Sequence, residues 1–183
     1  MRGLDDLARA GKILYAGLSN FPAWRLAHAA TIAALTSAVP IASAQFEHSL
    51  VHRNPETDLF PACHALGIAP VTWSPLGGGV LTGKYRNGET GRKEGFGGRV
   101  FQAEDSAIRT ATVDAVLAIA QEVDTSPDRV AIAWAMGHGA VPLIGPRTLE
   151  QARSNLGAAA LSLSSEHRSR LDFASTPPAG AKV

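Results

Sequence analysis

The stretch Ala69 to Asn87 reads APVTWSPLGGGVLTGKYRN and constrains the chain more than any other. The apolar run from Ile68 to Trp73 has no helical stripe and ends on turn signals, as a strand buried in a parallel sheet does. Beyond it, Pro75 and the glycines Gly77 to Gly79 forbid regular structure and let a ligand lie close to bare main chain. Lys84 adds a positive charge to the same loop. A strand end followed by exposed amides and a lysine suits an anionic ligand at the C-terminal edge of a parallel sheet. Two sharper phosphate readings fail. Gly78 to Lys84 has P-loop spacing, but Tyr85 stands where Ser or Thr would hold magnesium. Gly77 and Gly79 fit the first two places of a dinucleotide fingerprint, but Thr82 holds the third and no helix pattern opens there. The plain alternative is a flexible surface loop.

The rest of the chain alternates strands with helices. Leu4 to Lys12 reads as the end of an amphipathic helix, closed by Gly11. Ile13 to Gly17 is a short apolar strand, and Pro22 opens a helix running to about Leu35. Ile41 to Gln45 is a second strand. Asn54-Pro55 opens a turn, and a helix follows that ends before Gly67, with Pro61 in its first turn. After the third strand, Val113, Val116, Leu117 and Ala120 form one helical stripe. Ser126-Pro127 caps the next helix, whose Val130, Ala133 and Trp134 face inward. Val141 to Ile144 is a fourth strand. Thr148 and Gln151 form a capping box for a helix reaching Asn155, and Ser164 opens a last helix ending near Phe173. The fold class is α/β, built from parallel (βα) repeats with about four strands over residues 1–175. The loop from Ser74 to about Gln102 breaks the rhythm. Its charges are mixed, Lys84, Arg86, Arg92, Lys93 and Arg99 against Glu89 and Glu94, and beyond Asn87 it reads as solvated. The tail from 176 to 183, TPPAGAKV, reads as disordered.

With 183 residues, 45% of them hydrophobic and 18% charged, the chain is one globular domain. A net charge of +1 argues against nucleic acid or an anionic membrane as partner. No stretch is apolar and long enough to span a bilayer, and Asp5 and Asp6 near the start replace a secretory h-region. The single cysteine, Cys63, points to a reducing, cytoplasmic setting. His48 and His52 beside Glu47 invite a zinc reading, but the spacing is not that of HExxH, and no metal site is expected. Cys63, Trp24 and Trp134 read as packing residues, His64 as a solvated edge, and His138 as a turn residue.

All four strand ends carry polar or special residues: Ser19-Asn20, Gln45, Trp73-Ser74 and Gly145-Pro146-Arg147. In a parallel barrel such ends share one face, where binding sites form. These stretches resemble the aldo-keto reductases. WSPLGGGVLTGKYR is similar to that family's loop after the seventh strand, LDDLARAGK with GLSN to its fifth-strand region, AQFEHSL to the segment after the sixth, and IGPRTLEQARSNL to the segment after the eighth. The resemblance implies an NADP(H)-dependent oxidoreductase. It implies that Ser19 and Asn20 hold the nicotinamide carboxamide, with Gln45 nearby and Trp73 stacked on the ring. Ser74, Pro75, Leu76, Gly77, Leu81 and Lys84 would surround the pyrophosphate. Ile144, Gly145 and Arg147 would lie at the adenosine end, with Arg147 on a 2′-phosphate and Gln151 and Asn155 at the adenine.

The departures are equally informative. Gly145 and Pro146 replace the Lys-Ser of many members, so the choice of NADP over NAD rests mainly on Arg147. The family's catalytic Tyr, Asp, Lys and His belong to its first four strands, and neither Tyr15 nor Tyr85 sits in a matching motif; Tyr15 reads as a packed strand residue. The chain therefore resembles the C-terminal half of a TIM-type (βα)8 barrel, truncated to the cofactor grip and inactive alone. The alternative is a non-catalytic NADP(H)-binding module or a decayed fragment. Four strands leave two sheet edges. The expected outcomes are a homo-oligomer, a separately encoded N-terminal half, or poor solubility. An open sheet with helices on both faces is a further arrangement that the sequence allows.

Overall fold

The computed structural model describes residues 1–88 and 103–176. The charges at Glu89, Arg92, Lys93, Glu94 and Arg99, and the tail beyond Thr176, lie outside the described residues. Helix α1 (Arg2–Arg9) is closed by Gly11 at φ 68°, with the Lys12 amide reaching Leu7 O at 2.9 Å. The chain continues through β1 (Ala16–Ser19), α2 (Ala23–Thr36) and β2 (Ile41–Glu47). A 3₁₀ turn (Asn54–Glu56) leads into α3 (Leu59–Leu66), ended by Gly67 at φ 63°, and then β3 (Ala69–Trp73). After the loop come α4 (Ala107–Glu122), α5 (Pro127–Met136), β4 (Val141–Pro142), α6 (Leu149–Leu156) and α7 (Ser165–Ser175).

The four strands form one parallel sheet in the order β1-β2-β3-β4. Parallel partners point to the same side, so the register sorts the residues into two faces. Leu18, Ala44, Phe46, Pro70 and Thr72 share one face. There Ala44 and Phe46 pack with Leu26 of α2 and Cys63 of α3 in one apolar cluster. Gly17, Ser19, Ser43, Gln45, Val71, Trp73 and Val141 share the other face, and none of them is buried. Helices thus cover one face only, and the arrangement with helices on both faces does not form. A second cluster joins α4, α5 and α7 to the loop after β3 through Val80, Leu81, Val113, Val116, Val130, Trp134 and Leu171. The stripes expected in α4 and α5 are the ones buried, and Cys63 is buried as expected while His64 is exposed.

Four local readings change. The first strand begins at Ala16, not Ile13, because its partner begins at Ile41 immediately after Pro40 and leaves Ile13–Tyr15 nothing to pair with. Tyr15 is consequently 78% exposed instead of packed. The fourth strand keeps only Val141–Pro142, since Pro142 brings no N–H, although the Leu143 amide still reaches Thr72 O at 2.7 Å. Trp24 is 65% exposed, because α2 buries Leu26 and Ala33 instead and leaves Trp24 beside the Arg25 guanidinium. The glycine loop is not irregular throughout. It winds into 3₁₀ turns at Gly77–Thr82 and Lys84–Asn87, with Gly78 and Gly79 supplying φ of 69° and 103° at the kink.

Candidate functional site

The C-terminal ends of β1 to β3 meet in one polar patch on the uncovered face. The Asn20 amide donates to Gln45 O at 2.8 Å, and Trp73 Nε1 donates to Asn20 Oδ1 at 3.1 Å. Ser19 Oγ lies 3.4 Å from Gln45 Oε1, opposite it in the register, so Gln45 sits within β2 and not after it. Asn20 (φ 58°) and Ser74 (φ 56°) both hold left-handed backbone at strand ends. That conformation costs a non-glycine residue free energy and concentrates at functional sites.

Beside this patch a cleft of about 560 Å³ opens between the loop after β3 and the start of α6. Ser74, Pro75, Leu76 and Lys84 line one wall. Ile144, Gly145, Arg147, Gln151 and Asn155 line the other. Gly77 and Leu81 do not line it: both are buried in the loop's own packing, Leu81 within the α4–α5 cluster. A Cβ at Gly79 would stand 2.8 Å from Lys84 Cε, so the bare glycine is what lets the lysine stem cross the loop. Tyr85 donates its hydroxyl to Gly78 O at 2.8 Å and fixes the same turn.

On the opposite wall Thr148 Oγ1 accepts from the Gln151 amide at 3.1 Å, the expected cap. The Gln151 side chain accepts in return from the Arg147 amide at 2.8 Å, one residue earlier than a capping box requires. Ser126, expected to cap α5, instead places its Oγ 3.0 Å from Ser154 Oγ. Among the described residues neither Lys84 nor Arg147 forms an ion pair, so both cations on the cleft wall are available to an anion. Asp128, also on the wall, accepts from Asn155 Nδ2 at 2.6 Å. Sequence reasoning missed Asp128, because nothing in the pattern links it to an asparagine 27 residues downstream.

The histidines group differently from the pairing suggested by their spacing. His48, Glu56 and His138 bring ligand-type atoms within 4.8 Å of one another, while His52 and Glu47 stay outside the group. His48 is fully buried and its Nε2 lies 2.9 Å from Glu56 Oε1. Arg53 grips both Glu56 oxygens, at 2.9 and 2.7 Å, and places a cation where a metal would have to bind. Burial pushes the Glu56 carboxyl up, but the His48 and Arg53 hydrogen bonds and the Arg53 charge outweigh it and hold it at about 2. Burial pushes the His138 imidazole down, against the pull of Glu56. His138 does lie in a turn, packed on Trp134 at 4.5 Å between ring centres. Arg53 continues to Ser175 Oγ at 2.8 Å, so the group ties the segment after β2 to α7.

The sequence profile of the aldo/keto reductase family matches residues 1–175. The chain belongs to the aldo/keto reductase family. It is 32% identical over 164 residues to the uncharacterized oxidoreductase YrpG of Bacillus subtilis, covering 88% of this chain and 49% of the relative. It is 32% identical over 173 residues to aryl-alcohol dehydrogenase [NADP(+)] of Phanerodontia chrysosporium, covering 91% and 45%. It is 28% identical over 182 residues to versiconal hemiacetal acetate reductase of Aspergillus parasiticus, covering 98% and 53%. The chain spans about half the length of the curated relatives it matches. Its four parallel strands with their helices agree with part of the family's (βα) barrel. Among the described residues no helix is long and apolar enough to cross a membrane.

Proposed function

We propose that this aldo-keto reductase chain binds NADP(H) and supplies the cofactor-holding, C-terminal half of a barrel that transfers hydride between nicotinamide and a carbonyl or alcohol. The observation that carries this reading is convergence. Nine of the candidate residues line one cleft, and Ser19, Asn20, Gln45 and Trp73 form a bonded patch beside it. In this reading Trp73 lies against the nicotinamide, and Ser19, Asn20 and Gln45 meet its carboxamide. Lys84 and the amides after Ser74 take the pyrophosphate, and Arg147 takes the 2′-phosphate through its planar fork. The name of the Phanerodontia relative, which specifies NADP(+), supports the choice of cofactor.

The isolated chain holds cofactor without reducing carbonyls. Tyr85 spends its hydroxyl on Gly78 O, and Tyr15 stands before β1 in solvent, so neither is placed to give a proton to a substrate. The uncovered sheet face and the edges β1 and β4 are the surfaces that the remaining strands would cover, from a separate half or a second copy. Calorimetric titration tests the reading with NADPH and NADH. Wild type should prefer NADPH. Arg147→Ala should lose roughly 1.5–3 kcal/mol, ten- to hundredfold, with NADPH and little with NADH. Equal losses with both would remove the 2′-phosphate role, and no binding of either would remove the nucleotide reading.

A further inference from the structure

Asn155, at the end of α6, is only 7% exposed, yet it lines the cleft. Its Nδ2 donates to Asp128 Oδ2 at 2.6 Å, a short charge-assisted bond. A carboxylate only accepts, so it dictates which end of the amide faces it. Turning the amide over would set Asn155 Oδ1 against a carboxylate oxygen. With Asp128 in place, Asn155 keeps Oδ1 and one N–H for another partner. Oδ1 accepts no hydrogen bond among the described residues and is not sealed from solvent. An acceptor beside a donor on one planar amide matches the amino group and ring nitrogen along the edge of a 6-aminopurine. A 6-oxopurine shows two acceptors on that edge and would require the turned amide. Gln151 cannot make this choice, because its Oε1 is occupied by the Arg147 amide.

We infer that Asp128 is a positioning residue that locks the Asn155 amide and so makes the cleft select 6-aminopurine over 6-oxopurine nucleotides. This rests on the nucleotide reading proposed above. The test compares NADPH with its hypoxanthine analogue, which differs only at the purine 6-position, on wild type, Asp128→Asn and Asp128→Ala. Wild type should prefer NADPH about tenfold or more. Both variants should bring the two ligands within about threefold. An Asn at 128 can donate as well as accept, so it no longer dictates the amide. Undiminished preference in both folded variants would overturn the inference. A ligand-free readout accompanies it: the Asn155 side-chain NH2 resonances should follow the titration of the Asp128 carboxylate in wild type and lose that pH dependence in Asp128→Asn. If wild type binds neither nucleotide but the NH2 resonances follow Asp128, the nucleotide reading and the selection both fall while the lock stands. If they do not follow it, the lock falls too.

Discussion

The two faces of the sheet are cut from the same four strands and built to different rules. On the helix side Ala44 and Phe46 pack with Leu26 and Cys63, and every one of those four is buried. On the other side Gly17, Ser19, Ser43, Gln45 and Trp73 are small, polar or aromatic, and none is buried. Gly17 leaves room that a methyl group would take from Ser43 Oγ, only 2.4 Å from the ideal Cβ position. The difference teaches that stability and recognition have been separated by strand alternation. One residue in two holds the helices, and the next is left for a ligand or for further strands.

That separation can be broken first on the helix side. Leu26→Ala should destabilise by roughly 2–5 kcal/mol, since Leu26 is fully buried and its cavity cannot fill. Urea unfolding measures it, and a loss below about 1 kcal/mol would mean that the α2–sheet contact is not where stability resides. The acid limb comes next. Glu56, held at about 2 against an ordinary 4.5, stabilises the fold above pH 4.5, and that stability fades as pH falls toward 2. His138, lowered from 6.5, pushes the same way, because the unfolded chain takes up its proton first as pH drops below that value. Urea midpoints between pH 7 and 3 should fall toward acid. In Glu56→Gln the part of that fall below pH 4.5 should flatten, and an unchanged acid limb would show that the network is energetically idle. The smallest effect belongs to the uncovered side. Gln45→Ala should change stability by no more than about 0.5 kcal/mol while weakening NADPH binding. A large stability loss there would erase the contrast between the faces.

Much of this was legible in the residues and some was not. The β3 run, the Gly11 and Gly67 stops, the Thr148 cap and the stripes of α4 and α5 all follow from local rules, and they hold. The cleft was legible as residues, because strand ends in a parallel sheet share one edge. Three things depended on contacts that local pattern does not carry. Tyr15 and Trp24 look like core residues, but their surroundings are an unpaired edge and a solvent-facing turn of α2. His48 finds Glu56 and His138, the latter 90 residues away, in place of its sequence neighbour His52. Asp128 meets Asn155 only because α5 and α6 pack together.

The central claim is that the uncovered strand ends form a cofactor grip with Trp73 at its nicotinamide end. The direct measurement is an NADPH titration followed by tryptophan fluorescence, in a Trp24→Phe background that removes the most exposed indole. Trp134 is buried and bonded to Asp172, so it should report little. The account predicts saturable quenching at micromolar NADPH that disappears when Trp73→Phe is added. Saturable binding by calorimetry with no quenching, or quenching that survives Trp73→Phe, would contradict the placement of the nicotinamide at Trp73.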